Sequence, residues 1–165
     1  MAAAKQLRML EPDARAPEFE LSALDGGKRT LQQFLSSGPV LLAFFKITCP
    51  VCQFTLPYLE RIFRGRAAGS LQFFGISQDD AESTREFNQR FGVSFPTLLD
   101  REEESYPASN AYGISHVPSM FLIEPDGRIS WALDGWNKRE IQTLGAKAGV
   151  NPFRQDENVP EWKAG

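Results

Sequence analysis

The run from Val40 to Phe63, VLLAFFKITCPVCQFTLPYLERIF, constrains the fold of this chain more than any other stretch. Val40 to Phe45 is an unbroken apolar run, the pattern of a strand buried on both faces. Cys49-Pro50-Val51-Cys52 follows, and from there apolar residues recur at helical spacing. Cys52, Leu56, Leu59, Ile62 and Phe63 form one stripe, and Glu60, Arg61 and Arg64 fall toward water. The pattern is a buried strand delivering a dithiol to the first turn of a helix.

That placement suits reversible thiol-disulfide exchange. With Cys49 at the N-cap, Pro50 takes the first helical position, where a missing N–H costs nothing and the fixed φ is already helical. Val51 and Cys52 then offer free N–H groups, and the positive end of the helix dipole faces the Cys49 sulfur. Both effects favour a charged, nucleophilic sulfur. Cys52 lies one turn on along the same face, within reach of a disulfide of ordinary geometry, as a resolving thiol. The plainer readings are a structural disulfide or half of a zinc site. A bridge closing one helical turn constrains little unfolded chain, and a structural zinc site needs four ligands where the sequence holds two cysteines and one histidine, His116.

The stretch resembles the thioredoxin superfamily, and more narrowly its redoxin and TlpA-like thiol-disulfide oxidoreductases. The resemblance is carried by the strand before Cys49-Pro50-Val51-Cys52, by Pro57 at the place of a helix-kinking proline, and by Tyr112 to Ile123, which is similar to the family's cis-proline loop and following strand. It implies a cis Pro118 beside the dithiol and a substrate-facing backbone at Val117, with Thr48 and Pro50 on the same surface. The chain departs from the pattern at Thr48, where the family usually has Trp, at Ala43, where thioredoxin has a buried acid, and at Pro50-Val51, the dipeptide that tunes reduction potential.

The remaining pattern predicts an α/β, thioredoxin-like fold: a central mixed sheet with helices on both faces and an N-terminal hairpin extension. Glu18 to Leu21 and Arg29 to Leu31 flank the turn signal Asp25-Gly26-Gly27, and Leu31 to Leu35 reads as a short helix. Leu71 to Ser77 reads as a parallel strand, and Asp79 or Asp80 can cap a helix from Ala81 to Phe91. Phe95 to Leu99 reads as a strand or connector, Arg101 to Glu104 as a solvated turn and Ser105 to Tyr112 as a short helix. Met120 to Ile123 and Ile129 to Leu133 form a hairpin across Glu124 to Gly127, and Asn137 to Ala148 is the closing helix. The chain divides into an extension over 1–16, a redoxin domain over 17–149 and an extended polar tail over 150–165. Trp131, Trp136 and Trp162 read as packing residues.

The 165 residues suffice for one domain with a core, and a net charge of -3 with pI near 5.3 carries no nucleic-acid footprint. Residues 1–16, with Lys5, Arg8, Glu11, Asp13 and Arg15, read as neither signal peptide nor membrane span, so the default location is cytoplasmic, unless a leader has been removed. Lys46, three residues before Cys49, and His116, two before Pro118, are candidates for tuning the thiol by charge or proton transfer, against plainer readings as a solvent-facing lysine and an exposed loop histidine. The function expected is exchange of electrons with protein or small-molecule disulfides, without cofactor or metal, served by a thiol reductase or thioredoxin as electron donor. A peroxiredoxin-like thiol peroxidase is the alternative, weakened because peroxiredoxins carry Thr or Ser where Lys46 stands. A copper-binding module using His116 and both thiols is the third reading.

Overall fold

Alternate residues of the apolar run 40–45 point to opposite faces of a sheet, and both faces are apolar, so the strand has to sit inside a sheet covered on each side. The computed structural model, which describes residues 8–165, places it there. In chain order the elements are β1 (Glu20–Ala23), β2 (Lys28–Thr30), α1 (Leu31–Leu35), β3 (Val40–Phe45), α2 (Pro50–Gly65), β4 (Gln72–Ser77), α3 (Ala81–Phe91) and β5 (Thr97–Leu99). They continue with α4 (Pro107–Ala111), β6 (Ser119–Ile123), β7 (Ile129–Asp134), β8 (Trp136–Asn137), α5 (Lys138–Lys147) and β9 (Trp162–Lys163). Seven strands form one mixed sheet in the order β2-β1-β5-β4-β3-β6-β7. β3 runs parallel to β4 and antiparallel to β6, with Ala43 between Gly75 and Met120.

Leu41, Ala43 and Phe45 join a core layer with Leu56 and Leu59 of α2, Phe87 of α3 and Ile141 and Leu144 of α5. Val40, Leu42 and Phe44 face the other layer, with Leu31 and Phe34 of α1 and Ala108 just inside α4. Helices therefore cover both faces, as the two-sided apolar run requires. The expected hairpin forms between β1 and β2, and β1 also pairs antiparallel with β5, so it extends the main sheet. Asp80 caps α3 by accepting the Ser83 N–H at 2.8 Å, and the Arg101 to Glu104 run contains a 3-10 turn over Glu102–Glu104. No helix among the described residues is long and apolar enough to cross a membrane.

Two side chains differ from the reading of the sequence, Glu60 and Trp162. Glu60, expected toward water, is buried: its carboxylate accepts Ser94 N–H at 2.8 Å, Ser94 O–H at 2.5 Å, Phe95 N–H at 3.2 Å and Arg64 Nε at 2.6 Å. A carboxylate supplied with that many donors can leave water without the usual desolvation penalty. Trp162, expected in the packing, is 65% exposed, whereas Trp131 and Trp136 are buried. Of the N-terminal extension, Lys5 lies outside the described residues, and 10–16 bond to the end of α4 through Leu10 N–H to Tyr112 O (3.1 Å), to the edge strand β7 through Asp13 N–H to Ile129 O (2.8 Å) and to the β6–β7 turn through Ala16 N–H to Gly127 O (2.8 Å). The segment 150–165 is anchored at intervals: Pro152 and Val159 are buried, with Arg154, Gln155 and Asp156 exposed between them, and β9 pairs antiparallel with β8.

One ion pair pins that last segment to α2. Arg61 donates to Pro152 O at 3.0 Å and to Glu157 at 2.9 and 2.7 Å. The Arg61 guanidinium, with the Arg154 N–H, holds the Glu157 carboxyl down at about 2, from an ordinary 4.5. A depressed carboxylate stabilises the folded form above its unfolded value and loses that contribution as pH falls through the folded one. The grip on residues 150–165 is thus present above about pH 5 and lost between about pH 4.5 and 2. Hydrogen exchange should show protection of the 153–163 amides falling across this window in the wild type and flat in Glu157→Gln.

Candidate active site

The β3–α2 connection places Cys49 because its peptides are held from both sides. The Ile47 N–H donates to Asp79 Oδ2 at 2.8 Å, its carbonyl accepts Gln53 Nε2 at 2.9 Å, and the Cys49 N–H reaches Lys46 O at 3.3 Å. Neither Asp79 nor Gln53 was singled out from the sequence for this task. Asp79 is thirty-two residues from Ile47, and only the adjacent carboxyl ends of β3 and β4 bring it near.

Cys49 is the N-cap of α2, with extended backbone (φ -84°, ψ 115°), and Pro50 is the first helical residue. Its half-buried sulfur accepts the Cys52 N–H at 3.2 Å and donates its thiol to Val117 O at 3.4 Å. Both thiols are free. Cys52 is fully buried, and that burial foremost, then its interaction with Cys49, pushes its thiol far up. A half-buried leading sulfur thus stands in front of an enclosed, protonated one. The Val117–Pro118 peptide bond is cis, and Pro118 is buried with its carbonyl accepting the Gly135 N–H at 2.8 Å.

The cleft over Cys49, about 300 Å³, is lined by Lys46, Gln78, Ile114, Ser115, His116, Val117 and Gly165. Of the residues anticipated there, Cys49, Val117, Lys46 and His116 meet in it. Lys46 and His116 are both exposed, the latter with Nδ1 2.9 Å from Ser115 Oγ. Thr48, on the loop, and Pro50, at the start of α2, are exposed but are not among the lining residues. Ala43 lies buried in the sheet, so the strand brings no carboxylate beneath Cys52 at that position. Among the described residues no three His, Cys, Asp or Glu side chains converge on a metal-holding position. A separate cleft of about 760 Å³ is lined by Arg15, Glu18, Leu31 and Pro125 among others, without either cysteine.

Comparison with known proteins places this geometry. The AhpC/TSA family model matches residues 12–132, a span that includes the dithiol, the cis-proline loop and most of the sheet. The chain belongs to the AhpC/TSA family. It is 28% identical over 126 residues to the thiol-disulfide oxidoreductase ResA of Geobacillus thermodenitrificans, covering 76% of this chain and 70% of that protein. The thioredoxin domain of a thiol-disulfide oxidoreductase from Bacteroides vulgatus superposes with a TM-score of 0.73 at 20% identity, covering 84% of this chain and 99% of that one. The peroxidoxin BcpB of Mycobacterium tuberculosis superposes with a TM-score of 0.68 at 20% identity, covering 88% and 99%. These likenesses establish the thioredoxin-like fold, which an AhpC/TSA member shares with oxidoreductase and peroxidoxin alike.

Proposed function

We propose that this AhpC/TSA member is a thiol-disulfide oxidoreductase whose active group is the Cys49–Cys52 dithiol. The observation that carries the reading is the pairing of a half-buried Cys49 sulfur, facing a helix N-terminus and an open cleft, with a second thiol one turn behind it. In the reducing direction the Cys49 thiolate attacks one sulfur of a substrate disulfide, forming a mixed disulfide and releasing the other sulfur as a thiolate. Cys52, giving up its proton, then attacks the Cys49 sulfur, which forms the Cys49–Cys52 bridge and expels the second substrate thiolate. Two electrons have moved from protein to substrate, leaving the protein as the Cys49–Cys52 disulfide and the substrate as two thiolates, and no bound cofactor is required. A dithiol protein of the reductase or thioredoxin class restores the reduced form, and the reverse sequence oxidises a dithiol substrate.

Val117 is the substrate-facing backbone in this reading, its carbonyl beside the Cys49 sulfur, while Pro50 and Thr48 form the outer rim. Lys46 and His116 bring the two ionisable side chains of the cleft other than the thiol. The kinship with the ResA proteins supports disulfides as substrates.

The test is the fate of the intermediate. Cys52→Ser removes the group that breaks the mixed disulfide, so incubation with a disulfide-containing polypeptide should accumulate a Cys49-linked adduct. Mass spectrometry should find it stable for hours without reductant and absent from the wild type. A wild type that ignores disulfides yet consumes hydrogen peroxide rapidly through Cys49 would replace this reading with the peroxidase one.

A further inference from the structure

Beyond α5 the chain returns to the dithiol. Trp136 Nε1 donates to Pro160 O at 2.7 Å, the Lys138 N–H to Glu161 O at 2.9 Å, and β9 pairs with β8 so that Trp136 stands opposite Lys163 and Asn137 opposite Trp162. Alternation along the strand puts Lys163 on the inner side, its ammonium 5.2 Å from the Phe54 ring centroid, and leaves Trp162 facing outward. Gly165 follows two residues later and lines the cleft together with Cys49.

The approach is too close for side chains. At Gly135, with φ +72°, a Cβ would sit 2.6 Å from Lys163 O and 2.9 Å from Gly165 N. A Cβ on Gly165 would lie 2.9 Å from Val117 O. That oxygen is the one 3.4 Å from the Cys49 sulfur, so this segment covers the carbonyl edge of Val117 beside the reactive group. An extended substrate lying along Val117 needs the same space.

We propose that Lys163–Gly165 is a steric wall that sets the size of disulfide reaching Cys49. The cleft it leaves accepts a small-molecule disulfide or a slender extended loop, and it turns away a disulfide embedded in a bulky protein surface. The inference rests on the oxidoreductase reading and states which disulfides that site takes. Recognition here works by exclusion, and its energy appears as a difference between two substrates.

Two substitutions move the wall in opposite directions. Lys163→Pro removes a strand N–H, opposes pairing with β8 and lifts the ammonium off Phe54. Gly165→Leu thickens the wall where it meets Val117. Trp162→Ala, on the outward face, is the control. The measurement is the rate at which pre-reduced protein is oxidised by insulin and by bis(2-hydroxyethyl) disulfide. Lys163→Pro should raise the insulin rate about tenfold and leave the small disulfide within about twofold, whereas Gly165→Leu should lower the insulin rate severalfold more than the other. Trp162→Ala should match the wild type. An unchanged insulin-to-small-disulfide ratio in both variants overturns the wall, as does an equal gain for both substrates. If Lys163→Pro does not fold, the Gly165→Leu ratio decides alone. A wild type oxidised by neither disulfide overturns the oxidoreductase reading, and the wall with it.

Discussion

Replacing Cys49 with serine abolishes disulfide exchange, with a loss on the order of 10³-fold or more, because both bonds formed in the proposed sequence include the Cys49 sulfur. A serine hydroxyl at an N-cap still accepts the helix N–H, so the exchange removes the nucleophile and keeps the capping bond. Stability should move by no more than about 0.5 kcal/mol, the range for a half-exposed, near-isosteric change. Insulin reduction followed by turbidity, beside a thermal melt of the same variant, separates the two effects. Full activity in Cys49→Ser would show that the chemistry lies elsewhere, and a large loss of Tm would show that the sulfur matters for folding.

The second large effect is on stability. Trp136 is fully buried, and its ring packs 4.8 Å from Phe54, 5.0 Å from Tyr58 and 6.1 Å from Phe153 between centroids, while its indole N–H donates to Pro160 O. It joins the active-site helix to the last sixteen residues. Trp136→Ala removes this aromatic contact and leaves the Pro160 carbonyl without its donor, so the expected cost is about 3 to 5 kcal/mol. Trp136→Phe should recover most of the packing but not the hydrogen bond, leaving a deficit of about 1 to 2 kcal/mol. Denaturant unfolding with both variants gives these values directly. A cost below about 1 kcal/mol for the alanine variant would mean that the final segment is not held through this ring.

Much of the fold was legible because its signals are local. The two-sided apolar run marked β3, the pair Asp79-Asp80, of which Asp80 is the cap, and Asn137 marked the starts of α3 and α5, and the turn at Glu124 to Gly127 marked the β6–β7 hairpin. The dithiol was legible for the same reason: Cys49 and Cys52 are neighbours in sequence as well as in space. Pro118 lies far along the chain, and its cis bond was expected only through the family resemblance.

What the sequence determined alone is the Cys49–Cys52 dithiol and the strand-helix unit presenting it, since both depend on spacings of a few residues and on intrinsic backbone preferences. What only the tertiary structure decided is everything drawn from distant segments: Asp79 on the Ile47 N–H, Glu60 turned inward to Ser94 and Phe95, and Gly165 against Val117. A polar or charged residue reads as solvent-facing until the donors that compensate its burial are seen, and those donors arrive through the sheet order and the return of the final segment. Periodicity records which face of an element is apolar, and it carries no record of which remote backbone will meet it.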